Sequence, residues 1–141
     1  MATMNRILFL DFDGVLHPNH AADESYFVRL PVLERALSAE DCYIVISSSW
    51  RFHHALDALK NRFPPQLRKR ILGCTGDAII GRHSRYREIR AFLNLHTEMA
   101  WRTLDDSAFE FPEGCEELIL CDGAVGIAER QAVAIERWLA R

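Results

Sequence analysis

Two carboxylates, Asp11 and Asp13, stand two positions apart in RILFLDFDGVLHP, where an apolar run ends. Like charges at that spacing repel, and burial raises the cost of each. Something positive belongs between them. A second acid pair, Asp105 and Asp106, closes the apolar run of WRTLDD, and three hydroxyls, Ser47, Ser48 and Ser49, close that of YIVISSS. Carboxylates without histidine or cysteine form a hard oxygen donor set. Such a set suits Mg2+, an ion that usually shares its shell with a substrate phosphate. Asp11, Asp13, Asp105 and Asp106 are therefore the expected metal-binding residues. Gly14 lets the chain turn sharply and bring backbone N–H groups toward an anion. Ser47 offers a hydroxyl donor, and an arginine of GRHSRYREIR offers a fixed cation. A nucleophile, a divalent metal and donors for the equatorial oxygens are what phosphoryl transfer demands.

These groups need a scaffold that gathers them. Five short apolar, β-branched-rich segments read as buried strands: residues 7–11, 43–47, 70–74, 101–105 and 118–121. Helical patterns fall between them, near 32–39, 52–63, 85–95 and 128–139. Pro64 and Pro65 stop the second, and Ser84 is placed to cap the third. Strand–helix alternation predicts an α/β fold, a three-layer doubly wound and mainly parallel five-stranded sheet, in a single domain over 1–141. In such sheets ligands collect beyond the carboxyl ends of the strands, where strand order reverses. Four of the five strands end there in carboxylates or hydroxyls, counting Asp122 after the last. The loop carrying His17 and His20 reads as solvated, Trp50 as packing, and the run Arg68, Lys69 and Arg70 as a solvated face.

Composition narrows the class. With 49% hydrophobic and 26% charged residues, the chain is that of an ordinary globular domain. No apolar run approaches a membrane span, and the N-terminal stretch lacks a signal-peptide pattern. Cys42, Cys74, Cys115 and Cys121 form no CxxC pair, which predicts free thiols and a cytoplasmic setting. Net charge is −3, yet residues 50–90 carry 10 basic and 3 acidic side chains. A positive central segment is compatible with an anionic substrate.

The motifs DFDGVLHP, IVISSSW and TLDDSAF resemble, in order, the first, second and fourth motifs of the haloacid dehalogenase-like (HAD) phosphohydrolases. Together with RYREI they most resemble a small HAD group without a cap domain, associated with RNA-repair proteins. The resemblance implies that Asp11 is the nucleophile, forming an aspartyl-phosphate, and that Asp13 is the general acid and base. The main-chain carbonyl of Asp13, the Asp11 carboxylate and the Asp105/Asp106 pair would hold Mg2+. Ser47 would bind a phosphoryl oxygen, with Ser48 replacing it if the strand runs one residue further. The cation of the third motif falls to Arg85, with Arg82 second and Arg87 also within the segment. Arg51 is placed to reach a substrate phosphate. About 15 residues separate Gly14 from the first helix, too few for a cap with its own core. An open site predicts bulky substrates, foremost a nucleic-acid terminus. The competing readings are a receiver-like phosphoacceptor module, which places its acids in a different order, and an inactive HAD scaffold used for binding.

Overall fold

A computed structural model describes residues 5–38, 42–96 and 98–141. Five parallel strands, β1 (Arg6–Leu10), β2 (Tyr43–Ile46), β3 (Ile71–Cys74), β4 (Ala100–Asp105) and β5 (Leu118–Leu120), form one sheet in the order β3-β2-β1-β4-β5. The strand expectations hold to within one residue at each end. Strand order reverses between β1 and β4, so the crevice where an α/β sheet binds ligands opens between those two. A receiver module follows the order 2-1-3-4-5 instead, which separates this sheet from that alternative.

Alternation along β1 builds the layers. Leu8 and Leu10 point to one face, where they pack with Ile44, Ile46 and Leu104 against α1 (Leu30–Ala36) and α5 (Glu129–Leu139). Ile7 and Phe9 point to the other, where they meet Ile89, Phe92 and Leu93 of α4 (Ser84–Leu95). Phe9 lies edge-on to both Phe92 and Trp101, with centroids 5.7 and 5.8 Å away. The result is three layers, with α4 crossing one face from edge strand β3 to β4 and Phe111 packing beside it. The helix expected to start at Val32 begins two residues earlier, and the end expected at Ala39 lies outside the described residues.

Three local expectations need correction. Residues 52–63 do not form one helix. Ser48 accepts a hydrogen bond from the Trp50 N–H and starts a tight 3-10 turn over Ser49–Phe52. Only five residues, Leu56–Lys60 (α2), then become α-helical, and a further turn, Pro65–Arg68 (α3), leads into β3. Of the supposed stripe, Leu59 and Phe63 are buried whereas Phe52 is 49% exposed. Ser84 is the first helical residue rather than the cap, which is His83 in a left-handed conformation (φ 54); the Ser84 hydroxyl donates to Glu110. The basic run is not solvated throughout, since Arg70 is buried and donates to the Leu37 carbonyl at 2.8 Å, while Arg68 donates to that of Phe63. All four cysteines are free, as expected. Among the described residues no helix is long and apolar enough to cross a membrane.

One buried ion pair links the elements near the crevice. Arg51, just after β2, meets Glu88 on α4 at 2.9 Å, with both side chains less than a tenth exposed. Arg51 also donates to the Ser48 and Gly76 carbonyls, and Glu88 accepts the Ile79 N–H. The pair therefore fixes α4 against the exits of β2 and β3. Glu88→Ala leaves a buried guanidinium without its counter-charge. The expected loss is about 3 kcal/mol, read from the midpoint of urea unfolding; a loss under about 1 kcal/mol would show the pair to be dispensable.

Candidate active site

The β1–β4 pairing decides where the acids go. Register sets Leu10 against Leu104, and the Asp11 N–H continues the ladder to the Leu104 carbonyl. Asp11 and Asp105 therefore leave neighbouring strands side by side, and Asp106 follows. Carboxylate oxygens of all three lie within 4.8 Å of one another. Of the four acids expected to gather here, Asp11, Asp105 and Asp106 bring their carboxylates together and the Asp13 side chain does not join them.

Their common cation is Arg85, from the first turn of α4. One guanidinium nitrogen, Nη1, lies 3.3 Å from Asp11 Oδ1 and 3.2 Å from Asp105 Oδ2, and it donates to the Ser47 carbonyl. Of the three arginines weighed for this place, Arg85 is the one that meets the acids among the described residues. Arg87 reaches back to the Ile80 carbonyl, and Arg82 lines a separate surface groove with Phe109 and Pro112. Three carboxylates against one guanidinium leave two negative charges over. Burial and the adjacent Asp105 charge push the Asp11 carboxyl well above the ordinary range, against the pull of Arg85. Burial likewise raises Asp105 to about 6, although Arg85 opposes it. Burial works against the Arg85 charge, but Asp11 and Asp105 outweigh it and raise its pKa. An all-oxygen donor set with this surplus fits a divalent cation such as Mg2+.

Backbone donors orient the acids. Phe12 N–H donates to Asp11 Oδ1 at 2.8 Å and Ser107 N–H to Asp105 Oδ1 at 3.0 Å, while the Asn19 amide holds Asp106 Oδ2 at 2.7 Å. Gly14 (φ +78) plays a different part from the one expected. Its N–H donates to the His17 carbonyl, and a Cβ there would come within 2.2 Å of Asp106 Oδ2. The glycine clears room for the third acid rather than presenting an N–H to an anion.

The hydroxyls and Arg51 divide by role. Ser47 follows β2 directly and is fully buried, with its Oγ unpartnered. Ser48 is the cap of the 3-10 turn, so its oxygen is already engaged. Arg51, expected to meet substrate, is tied instead to Glu88 and two carbonyls. Asp122 accepts the Ala124 N–H and shapes a turn.

Asp13 stands apart from the other acids. Its side chain is 49% exposed and is gripped by two donors. His17 Nε2 lies 2.7 Å from Asp13 Oδ1, and Trp50 Nε1 lies 3.2 Å from both carboxylate oxygens. His17 is 1% exposed, not solvated, and its Nδ1 accepts the Phe27 N–H at 3.2 Å. That bond places the proton of the neutral ring on Nε2, where it faces Asp13. Sequence reasoning missed His17, Asn19 and Glu88; Trp50 packs against Phe12 and Phe27 as expected, and its bonds to Asp13 are the unexpected part. The one available signal was the four-residue spacing of Asp13 and His17 across a turn.

Residues 7–132 match a family described as the HAD domain in Swiss Army Knife RNA repair proteins. No curated protein and no solved structure matches the chain.

The raised carboxyl pKa values carry a sign. An acid whose folded pKa lies above its unfolded value supports the fold fully below about pH 4. That support is lost as pH rises through about 6. The metal-free protein should therefore melt higher at pH 5 than at pH 7.5. At pH 7.5 Asp105→Asn should stabilise it by about 1–3 kcal/mol, and adding Mg2+ should raise the Tm of the native chain but not that of the variant. A destabilised variant would show that the acids are not in mutual repulsion.

Proposed function

The chain belongs to the HAD domain family of RNA repair proteins, and from that premise we propose that it is a Mg2+-dependent phosphohydrolase working through an aspartyl-phosphate. The observation that carries this reading is the meeting of Asp11, Asp105 and Asp106 with Arg85 at the reversal point of the sheet. The Asp11 and Asp105/Asp106 carboxylates, with the main-chain carbonyl of Asp13, would hold Mg2+. The bound ion would supply neutralisation of the surplus charge and of the substrate phosphate.

Asp11 is held through Oδ1 by the Phe12 N–H and Arg85, which leaves Oδ2 to attack phosphorus. As the new P–O bond forms, the bond to the leaving oxygen breaks and Asp13 gives that oxygen a proton. Asp13 then takes a proton from water, whose oxygen attacks phosphorus, releasing phosphate and restoring the Asp11 carboxylate. Arg85 and the unpartnered Ser47 hydroxyl are the donors available to the phosphoryl oxygens during both steps. Hydrogen bonds from His17 and Trp50 hold the Asp13 carboxylate on the exposed side of the site. No cap segment is inserted between β1 and α1, so a bulky phosphomonoester such as a nucleic-acid end can reach Asp11.

Hydrolysis of an aryl phosphate should require Mg2+ and should fall at least roughly a thousand-fold in Asp11→Asn. Equal rates for the native chain and the variant would remove Asp11 from the chemistry.

A further inference from the structure

In the mechanism above the leaving group must lie on the side of Asp13 that faces solvent. That side opens into a groove of about 580 Å³ whose lining includes Asp13, Tyr26, Trp50, His53, His54 and Arg62. Its walls are largely aromatic, with one fixed cation, Arg62, and with Asp13 and Asp23 as the carboxylates of the lining. The His54 ring lies 5.2 Å from that of Trp50 at 30°, and His54 itself is exposed. The Arg62 guanidinium sits 5.1 Å from the Trp50 ring centre, 5.3 Å from that of Phe27 and 5.9 Å from that of Tyr26. Three rings thus hold it in place before any ligand arrives. Among the described residues it belongs to no ion pair. A glycerol leaving group presents no ring face to these surfaces. A nucleobase matches them, because a π-face stacks on imidazole and on aromatic rings. A phosphodiester one nucleotide away would supply the anion that Arg62 lacks.

We propose that this groove is the leaving-group subsite and that it takes the phosphorylated end of a single-stranded nucleic acid, with the terminal base against His54 and the next phosphodiester on Arg62. The assignment rests on the phosphohydrolase reading, since Asp13 marks the leaving-group side only if it protonates that group. Preorganisation matters here: Arg62 needs no rearrangement to receive an anion, which lowers the entropy cost of binding a flexible strand.

The test uses exposed residues that leave the acid cluster intact. For oligonucleotides phosphorylated at either end, His54→Ala and Arg62→Ala should each lower kcat/KM by roughly ten-fold. Turnover of glycerol phosphate should be unchanged. On the Asp11→Asn background, fluorescence anisotropy with the same labelled oligonucleotides should show binding that Arg62→Ala weakens. That variant should also shallow the slope of log affinity against log salt by about 0.7. Turnover of small esters with no preference for oligonucleotides, insensitive to both variants, would overturn the subsite and leave the reaction standing. Oligonucleotide binding that responds to Arg62→Ala, with no turnover of any ester, would overturn the reaction and with it the leaving-group assignment, leaving a groove that only binds nucleic acid.

Discussion

Repulsion among three carboxylates at one crevice is the constraint to which the surrounding structure answers. Asp11 and Asp105 are adjacent because β1 and β4 pair directly, and Asp106 is admitted because residue 14 has no side chain. A lone guanidinium, Arg85, offsets part of the charge. Its helix is in turn secured by the buried Arg51–Glu88 pair and by the Phe9–Phe92 contact on the far face of β1. Burial first, and the neighbouring carboxylates second, push the Asp11 and Asp105 carboxyls above the ordinary range. The scaffold therefore works against its own site, and it can do so because the hydrophobic layers on both faces are deep.

Asp13 illustrates a division of labour inside a three-residue motif. Asp11 is nine-tenths shielded and faces the acid cluster, whereas Asp13 is turned toward solvent and held by side chains from two other segments. The segment after Gly14 folds back as a strap. Its imidazole, His17, is locked by the Phe27 N–H, and Phe27 adopts a left-handed backbone (φ 64) that an aromatic residue rarely accepts. That conformation is sustained by its packing against Phe12, Trp50 and Phe63. Two neighbouring acids thus sit in different surroundings, one buried and one open to solvent, which suits the separate roles proposed for them.

The strands and the acid cluster were legible in the sequence because both follow short-range rules. Alternation of Ile7, Leu8, Phe9 and Leu10 needs only the two-residue period of a strand, and acids at strand ends need only the sheet's polarity. What escaped was set by tertiary partners. The apolar spacing of residues 52–63 is compatible with a helix, but Trp50 is drawn to Asp13 and the chain turns tightly to deliver it. Arg51 looked free for substrate because its partner, Glu88, lies 37 positions away. His17 looked solvated because nothing local reveals that a loop will bury it. Arg85 was favoured among three arginines, and only the position of α4 over the crevice separates it from Arg82 and Arg87.

The strap that carries His17 is pinned at several points. Asn19 bonds Asp106 and the Gly123 carbonyl, and the Arg29 side chain donates to the Ile127 carbonyl. A segment so tethered does not swing. Enzymes with hinged lids often wait on the opening of the lid to release product, on microsecond to millisecond timescales. With the strap tied at these points, the proposed reaction needs no lid to open, and solvent viscosity should then bear on the arrival of substrate and the departure of product rather than on a gating motion.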